Sequence, residues 1–459
     1  MLEFVRRLPL MDRLLARPVV AVALVAILII AAVAAVSVSN YSTPGGDDGP
    51  RPTASWLTVH YVSLDNNLDA FGEWQADLNS LEKVGSTPES HHIALYDGDG
   101  DGDTIVQYVI EGGFQEMATT DVDPEWGPEI NLGDPQTLID FTVWAATEYP
   151  AEKICLVLNN HGGGWFGICW DDTDEDYLTP GEVAEALEGI HYALGRKVDV
   201  VLCYACLMAS IEFAYEIHEH ADYLIASETF SWGSETHGED DYLIGNYPFD
   251  RIWGPVKDNP EMTPREFAAH VVDAFQMYGP WNAPEMYVFR DYSSDTVSAI
   301  DLSAMPELVA AVDNLGLELE ASMTGLGRMI NHAQLVNRVI GSPQVPEEYC
   351  TESFSGQPDF IGQGTWVNYD LLDFIDQLEK CDINDLCDPG TLRQVRDAAG
   401  AAIIAERHGT DESLGHHVDA HGLSIWLPYR STEYRDSYET TRFARDTSWD
   451  EFLKAVNIL

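Results

Sequence analysis

Two apolar runs in the middle of the chain constrain its fold more than any other feature. The first, Ile154 to Leu158, leads into His161, and the second, Val198 to Leu202, leads into the segment that holds Cys206. Short runs of this kind, separated by a helical segment, predict a βαβ unit with parallel strands. Parallel strands end at the same edge of a sheet, where open α/β folds place their functional sites. We therefore expect His161 and Cys206 to meet, although 45 residues separate them.

His161 and Cys206 have the chemistry of a catalytic pair. A thiol becomes a nucleophile at neutral pH when a base takes its proton, and an imidazole can return that proton to a leaving amine. Glycines follow the histidine, and acyl transfer needs backbone N–H groups that stabilise an oxyanion. We expect the N–H groups of Gly162 and Cys206 to form that oxyanion hole. Taken singly, these residues indicate a turn and buried thiols, but together at strand ends they favour a cysteine peptidase.

Strand-like and helical patterns alternate through the first half of the chain. Strands are predicted near 55–63, 92–96, 104–110, 153–159, 198–203 and 223–227, and helices near 68–83, 137–148, 180–194 and 209–219. This alternation predicts an α/β/α sandwich around a mainly parallel sheet, followed by a helix-rich C-terminal subdomain. Because about 400 residues exceed one ordinary core, we divide them into a catalytic core at 55–255 and a C-terminal subdomain at 256–459.

The N-terminal segment predicts the location of the protein. Residues 1–17 are basic, and an uncharged apolar stretch runs from Pro18 to Val38. About 20 apolar residues cross a bilayer as a helix, and basic residues before them keep the N-terminus cytoplasmic. We expect a cytoplasmic N-terminus at 1–17, a signal anchor at 18–38, a linker at 39–54 and an extracytoplasmic globular part attached to the cell membrane. A cleaved signal peptide, which releases a secreted protein, is the alternative.

The charge of the chain limits its partners. Asp and Glu total 77 against 24 Lys and Arg, so the net charge is −53. The negative electrostatic field of such a charge repels nucleic acid. A protein tolerates it when dissolved salt screens the repulsion between its own acidic residues. The hydrophobic content of 45% and the 12 Trp residues argue against a disordered acidic chain. We expect a folded, halophilic protein that does not bind nucleic acid.

One acidic loop resembles a metal-binding pattern. Asp97, Asp99 and Asp101 alternate with glycines, an arrangement that suits Ca²⁺. Tyr108 stands where an EF-hand needs a bidentate Glu, so a solvated strand connection is favoured over a calcium site. The thiol chemistry above requires no cofactor. The segment 203–206 also matches a Cys-x-x-Cys redox or zinc motif, but no second pair of ligands accompanies it.

Several blocks of this sequence resemble the clostripain-like cysteine peptidases, which belong to the caspase and gingipain fold group. They are LDNNL (64–68), GDPQTLIDF (133–141), NHGGGW (160–165), ACLMA (205–209) with Glu212, GLSIWLP (422–428) and FARDTSW (443–449). The resemblance extends over about residues 54–459. It implies that His161 is the general base and Cys206 the nucleophile of an endopeptidase that acts on peptides or proteins.

The chain departs from this family at one position that bears on specificity. Members usually carry an Asp two positions before the nucleophile, which favours Arg or Lys in the substrate, and Tyr204 stands there in this chain. A phenol does not supply a fixed negative charge at neutral pH. Acids after the next strand are candidates to replace it in the substrate pocket: Glu228, Glu235, Glu239, Asp240 and Asp241. We expect a weaker preference for basic residues, which Tyr204→Asp partly restores.

An inactive protein is the alternative function. The same fold tethered to a membrane can serve as a binding module, in which case Tyr204 marks a site that has lost its activity. His161, Gly162 and Cys206 are all present, and a scaffold has no need of that combination. The sequence therefore favours the active enzyme.

Overall fold

A large mixed sheet forms the centre of the protein. The computed structural model describes residues 52–229, 231, 248–275, 296–324, 328–335, 367–380, 386–408, 419–428 and 433–457. Within these ranges the strands are β1 (Ala54–Ser63), β2 (Ser90–Asp97), β3 (Ile105–Ile110), β4 (Gly113–Met117), β5 (Ala151–Asn159), β6 (Ile168–Asp171), β7 (Asp176–Leu178), β8 (Val198–Tyr204), β9 (Ala221–Ala226), β10 (Thr296–Asp301), β11 (Asn368–Asp370), β12 (Ile403–His408) and β13 (Ser424–Trp426). The α-helices are α1 (Glu73–Leu81), α2 (Pro135–Glu148), α3 (Pro180–Leu194), α4 (Ile211–Ile217), α5 (Phe249–Asp258), α6 (Pro264–Ala274), α7 (Met305–Thr324), α8 (Arg328–Gln334), α9 (Leu371–Lys380), α10 (Pro389–Ala402), α11 (Arg442–Asp446) and α12 (Trp449–Asn457).

The strand order places the two predicted catalytic segments side by side. Nine strands are hydrogen-bonded in the order β12-β10-β9-β8-β5-β1-β2-β3-β4 within the described residues. The five strands from β9 to β2 pair in parallel, and the strands on both sides of them pair antiparallel. Because β5 and β8 are neighbours, the loops that leave their carboxyl ends share one edge of the sheet. The predicted α/β/α sandwich with a mainly parallel sheet is confirmed.

Helices cover both faces of this sheet. On one face, α1, α5 and α6 contribute Trp74, Trp253 and Phe267 to a core that includes Trp56 of β1. The rings of Trp56 and Phe267 lie 4.8 Å apart, a spacing at which aromatic pairs stabilise a core beyond their buried area. On the other face, α2, α3, α4 and α7 pack beside one another. The parallel strands are thus buried on both faces, which explains their nearly continuous apolar sequences.

The crossover helix α3 begins and ends where its sequence specifies. The Thr179 side chain accepts from Glu182 N–H, and the Glu182 carboxylate accepts from Thr179 N–H, so two unpaired donors are satisfied reciprocally. Pro180 occupies the first helical position, and Gly195 ends the helix at a φ of 69°. These signals fix both ends of α3, the helix that leads from the β6–β7 hairpin to β8.

The structure adds elements that the sequence patterns did not predict. The hairpin of β6 and β7 lies between His161 and α3, and strands this short carry too little periodicity to be recognised. Strands β10 and β12 come from beyond residue 255 and extend the same sheet as the first half. The domain boundary at residue 255 stays a prediction.

The N-terminal predictions lie outside the described residues. The cytoplasmic segment, the anchor and the linker up to residue 51 all fall there. Among the described helices, none has the length and apolar character needed to cross a bilayer.

Candidate active site

His161 and Cys206 follow the paired ends of β5 and β8. Asn159, the last residue of β5, is in register with Tyr204, the last residue of β8. Asn160 N–H then donates to the Tyr204 carbonyl over 3.3 Å, which holds the chains together one step past the strands. Each predicted catalytic residue therefore lies two positions beyond this pair. The structure brings the two segments together as the βαβ interpretation predicts.

Gly162 lies directly against Ala205 and the backbone of Cys206. A Cβ added at Gly162 would overlap the Cys206 carbonyl oxygen and lie 3.0 Å from Cys206 N. A side chain at this position would therefore push the two loops apart. Gly164 has a φ of +59°, a conformation that favours glycine, and an added Cβ there would lie 3.1 Å from the Leu207 carbonyl oxygen. The glycines after His161 thus permit close approach to the Cys206 loop.

The His161 ring is held in a neutral state by its surroundings. Only 8% of the residue is exposed, and this burial lowers the pKa of His161 to about 3. Its Nε2 atom lies 2.8 Å from Asn67 Oδ1. A carbonyl oxygen only accepts, so we assign the proton to Nε2, which leaves Nδ1 as the nitrogen that can take a proton. Asn67 thereby selects the tautomer of the His161 ring.

Cys206 differs from the other thiols near the sheet. Its side chain is half-buried, and Ser231 N–H donates to Sγ over 3.3 Å. Leu207 follows with a φ of 65°, a left-handed backbone conformation that residues other than glycine rarely adopt. Its N–H donates to the Thr229 carbonyl over 2.9 Å, which anchors this strained turn. The loop after β9 thus lies alongside Cys206 and Leu207.

The remaining described cysteines are poor nucleophiles. Cys155, Cys169 and Cys203 are fully buried, and this burial raises the pKa of each thiol above its usual value. Burial also raises the pKa of Cys387 to about 12. A thiol that stays protonated is unreactive, so Cys206 is the candidate nucleophile among the described cysteines.

The backbone around Gly162 suits an oxyanion donor. Gly162 and Ile168 form an antiparallel bridge, and the hydrogen bond of this bridge comes from Gly163 N–H, 2.9 Å from the Gly167 carbonyl. Hydrogen-bonded and non-hydrogen-bonded positions alternate along an antiparallel pair, so the Gly162 N–H points away from the segment at Gly167 and Ile168. The predicted oxyanion donor, Gly162 N–H, is therefore not used by this pairing.

The predicted pocket residues that are described lie inside the protein. Tyr204 is 2% exposed and packs in the core with Leu202. Glu228 is 1% exposed, and its Oε2 accepts from Gly422 N–H over 2.7 Å. Burial, together with the nearby Asp370 carboxylate, raises the pKa of Glu228 well above its usual value. Glu235 and the acids at 239–241 lie outside the described residues.

Several residues near the site were not predicted from the sequence. Asn67 is one of them, although it belongs to the LDNNL block that follows β1 at the same sheet edge. A further contact lies beside Glu228, whose partner Gly422 follows His421: His421 Nδ1 lies 3.0 Å from Asp370 Oδ1, and this contact raises the pKa of His421 to about 9. Position at a strand end is the signal that could have identified Asn67.

The acidic loop divides between the surface and the interior. Asp99 and Asp101 are exposed, whereas Asp97 is fully buried with Asp65 and Asp171 nearby. Burial, more than any neighbouring charge, raises the pKa of Asp97 to about 8 and that of Asp171 to about 7. The three buried carboxyl groups form a cluster that the alternating Asp-Gly pattern did not predict.

Comparisons with known proteins agree with this architecture. The sequence profile described as the clostripain family matches residues 60–455. Clostripain of Hathewaya histolytica is 25% identical over 463 residues, which cover 87% of this chain and 80% of that protein.

Two solved structures share the fold. An inactive zymogen C11 protease from Parabacteroides distasonis has a TM-score of 0.55 at 18% identity, and the match covers 86% of this chain and 99% of that chain. A secreted C11 cysteine protease from Bacteroides thetaiotaomicron, in complex with an irreversible peptide inhibitor, has a TM-score of 0.53 at 17% identity. The second likeness covers 88% of this chain and 100% of that one.

Proposed function

Because this chain belongs to the clostripain family of cysteine peptidases, we propose that it hydrolyses peptide bonds with Cys206 as the nucleophile and His161 as the general base. The observation that carries the proposal is the contact of Gly162 with the Cys206 backbone, which leaves no room for a side chain between the two loops. A close approach of a base and a thiol is the geometry that nucleophilic catalysis requires.

The first half of the reaction forms a thioester. His161 Nδ1 takes the proton of the Cys206 thiol as Sγ attacks the peptide carbonyl carbon. The resulting oxyanion accepts hydrogen bonds from the N–H groups of Gly162 and Cys206. The protonated imidazole then gives its proton to the leaving amine, the C–N bond breaks, and the acyl group stays on Sγ.

The second half releases the acyl group. His161 takes a proton from a water molecule, which attacks the thioester carbon, and the proton returns to Sγ as the thiol leaves. Asn67 accepts from Nε2–H throughout, 2.8 Å away, and its carbonyl dipole stabilises the imidazolium that forms in each step. Asn67 is therefore a positioning residue.

His161 also determines the state of the pair before substrate binds. Burial lowers the pKa of His161 to about 3, so at neutral pH there is no imidazolium to stabilise a thiolate. The proton transfer then accompanies the attack of Sγ rather than preceding it. This distinguishes the proposed mechanism from a preformed ion pair.

Alkylation tests this mechanism. Iodoacetamide should label Cys206 selectively, at a rate that still rises between pH 6 and pH 8, because no ion pair holds the thiolate at acid pH. His161→Ala should slow the labelling, and the buried-cysteine control Cys203→Ala should leave it unchanged. Equal labelling in the His161→Ala variant, or a rate that is already constant below pH 6, would contradict the proposal.

The cellular context is a separate part of the proposal. The apolar stretch at 18–38 and the net charge of −53 support a membrane-anchored, extracytoplasmic peptidase of a salt-rich environment. Membrane fractionation and N-terminal sequencing of the protein purified from cells test it. A mature chain that begins after residue 38 in the soluble fraction would replace the anchor with a cleaved signal.

A further inference from the structure

The chain that follows β9 supports the turn that carries Cys206. Leu207 N–H donates to the Thr229 carbonyl over 2.9 Å. Ala209 N–H donates to the Ser227 carbonyl, also over 2.9 Å. Because two backbone hydrogen bonds join the turn to this stretch, the position of the turn depends on where the stretch lies.

The same stretch contacts the thiol itself. Ser231 N–H donates to Cys206 Sγ over 3.3 Å, and the Ser231 carbonyl oxygen lies 3.7 Å from Sγ. A second support comes from the first residue of β13, since Ser424 N–H donates to the Ala209 carbonyl over 2.8 Å. Displacement of either support would move the thiol.

Glu228 connects these two supports. Its Oε2 accepts from Gly422 N–H over 2.7 Å, two residues before β13 begins. The Gly422 carbonyl accepts from Ser298 Oγ over 2.6 Å, so this glycine is held at both its polar groups. Glu228 N–H donates to Thr296 Oγ1 over 3.1 Å. One buried side chain thus links the chain after β9 to the chain before β13.

Glu228 also faces a second buried acid. Its Oε1 receives no hydrogen bond from an N–H or O–H donor of the described residues, and the Asp370 carboxyl is in contact with the Glu228 carboxyl. No Lys or Arg of the described ranges forms an ion pair with either acid. Two carboxylates in contact inside a protein repel each other unless one keeps its proton. The pair therefore holds one proton.

The hydrogen bonds assign that proton to Glu228. Asp370 accepts from Asp373 N–H over 2.6 Å and from His421 N–H over 2.7 Å. The third contact of Asp370, with His421 Nδ1, raises the pKa of His421 to about 9, so this ring is an imidazolium at neutral pH. Burial, and then the Asp370 charge, raises the pKa of Glu228 well above its usual value. Asp370 is thus the charged partner, and Glu228 is the carboxylic acid with one O–H to donate.

We propose that Glu228, as a neutral carboxylic acid that accepts from Gly422 and donates to Asp370, positions Cys206 by holding the chain after β9 against the turn. Glu228 is a positioning residue, because it acts on the thiol through the backbone of Ser227, Thr229 and Ser231. The inference rests on the proposed function, since it concerns the residue assigned there as the nucleophile.

The surroundings of Glu228 determine the sign of a pH dependence. The titratable groups that face it are Asp370 of β11 and Glu406 of β12, and His421 faces it only through Asp370. Burial and the two acids disfavour an ionised Glu228. The unfolded chain then loses this proton at a lower pH than the folded protein, so the contribution of Glu228 to stability falls as the pH rises. Glutamine has the same donor and acceptor geometry and does not ionise.

Three variants of the full chain test the proposal. Glu228→Ala removes both links, Glu228→Gln keeps them, and Glu216→Ala is the matched control. Glu216 is a buried glutamate that likewise accepts from one distant backbone N–H, that of Arg442 over 2.8 Å, but Arg442 begins α11 and does not support the Cys206 turn. Circular dichroism checks that each variant is folded.

Iodoacetamide labelling reports the position of the thiol without any turnover. The labelling of Cys206 should be about tenfold slower in Glu228→Ala, because Ser231 N–H no longer lies against Sγ. Glu228→Gln should restore the rate to within about threefold of the wild type, and Glu216→Ala should leave it unchanged. With a fluorogenic peptide, Glu228→Ala should lower kcat and leave KM nearly constant.

Melting temperatures between pH 5 and pH 9, in concentrated KCl, give a readout that simple packing would not change. The melting temperature of the wild type should fall more steeply with rising pH than that of Glu228→Gln, because only the wild type carries the titrating carboxyl. All other groups titrate alike in the two proteins, so the difference isolates Glu228.

Each outcome decides the proposal. Labelling as slow in Glu228→Gln as in Glu228→Ala, or parallel pH dependences of the two melting temperatures, would overturn it, as would equal slowing in Glu216→Ala. If Glu228→Ala does not fold, Glu228→Gln decides alone: normal labelling with the flatter pH dependence supports the proposal, and slow labelling contradicts it. If labelling and melting follow the prediction but the wild type hydrolyses no peptide, the proposed function fails while the role of Glu228 stands.

Discussion

The interior of β8 and the loop that leaves it place the same functional group in opposite situations. Cys203 is fully buried in the strand, where burial raises the pKa of its thiol, and Cys206 is half-buried beyond the strand end. Three positions separate them. The difference teaches that the end of the hydrogen-bonded ladder, rather than residue type, separates a buried thiol from a partly exposed one in this fold.

The backbone changes at the same boundary. Within β5 and β8 the residues pair in regular parallel register up to Asn159 and Tyr204. Beyond it, Leu207 adopts a φ of 65° and Gly164 a φ of 59°. Glycine adopts this conformation readily, but for Leu207 it costs energy and persists because the surroundings hold it. The hydrogen bond from Leu207 N–H to the Thr229 carbonyl, over 2.9 Å, is one contact that does so.

The two cysteines give the largest expected contrast. Cys206→Ala should lower kcat/KM by about 10⁵- to 10⁶-fold, the scale of removing a nucleophile from an enzyme whose catalytic residues act as a unit. Cys203→Ala should retain most of the turnover and lose stability instead, because it removes buried volume from the strand. Hydrolysis of a fluorogenic peptide in high salt measures both. Turnover that survives in Cys206→Ala but not in Cys203→Ala would reverse the assignment.

Two glycines extend the contrast to the backbone. Gly162→Ala should reduce kcat by about 100-fold, because the new Cβ overlaps the Cys206 carbonyl oxygen and displaces the loop. Gly400→Ala is the control: nothing lies within 4 Å of an added Cβ in α10, so activity should be unchanged and stability should rise by about 0.5–1 kcal/mol. Equal activities of the two variants would show that the close approach is not needed.

Asn67 tests how the loops position the base. Asn67→Ala should lower kcat by about 10- to 150-fold, since it removes a hydrogen bond to a group that becomes charged. Asn67→Asp should recover activity and move the acidic limb of the pH profile upward, because a carboxylate raises the pKa of His161. Asn79→Ala, which alters an exposed asparagine of α1, is the control. A loss in Asn67→Ala that Asn67→Asp does not reverse, with an unshifted pH profile, would indicate a structural role only.

The parallel centre of the sheet could be predicted because the burial of its strands is visible in short contiguous stretches of the sequence. Runs such as Ile154 to Leu158 are apolar on both faces, and a parallel arrangement then brings His161 and Cys206 to one edge. The hairpin of β6 and β7 and the late strands β10 and β12 could not be predicted, since their pairing depends on distant segments.

The part of the site that could be predicted is the pairing of His161 and Cys206, because the order of parallel strands alone brings these two residues together. The contact of Asn67 with His161 and the cluster of Asp65, Asp97 and Asp171 depend on how separate loops fold, which no local pattern encodes. The burial of Tyr204 is different, because a period of two along β8 already places it on the face of Val200 and Leu202. The strand period therefore indicates burial of Tyr204, whereas the resemblance to the family at this position predicted a place in the substrate pocket.

Tyr204→Phe gives the smallest expected effect on activity and the sharpest test of the boundary between strand and loop. The burial of Tyr204 changes the expectation for Tyr204→Asp: a carboxylate placed among the apolar side chains of the core is costly to desolvate, so the variant should lose about 3 kcal/mol or more of stability rather than simply gain a preference for Arg. Tyr204→Phe avoids that charge and should cost about 1 kcal/mol at most, the worth of one hydrogen bond. If the Tyr204 side chain only packs in the core, the ratio of kcat/KM for Arg and Leu peptides should be the same in Tyr204→Phe and the wild type. A changed ratio at unchanged stability would place its hydroxyl in the substrate pocket, and the chemistry would then begin inside the strand.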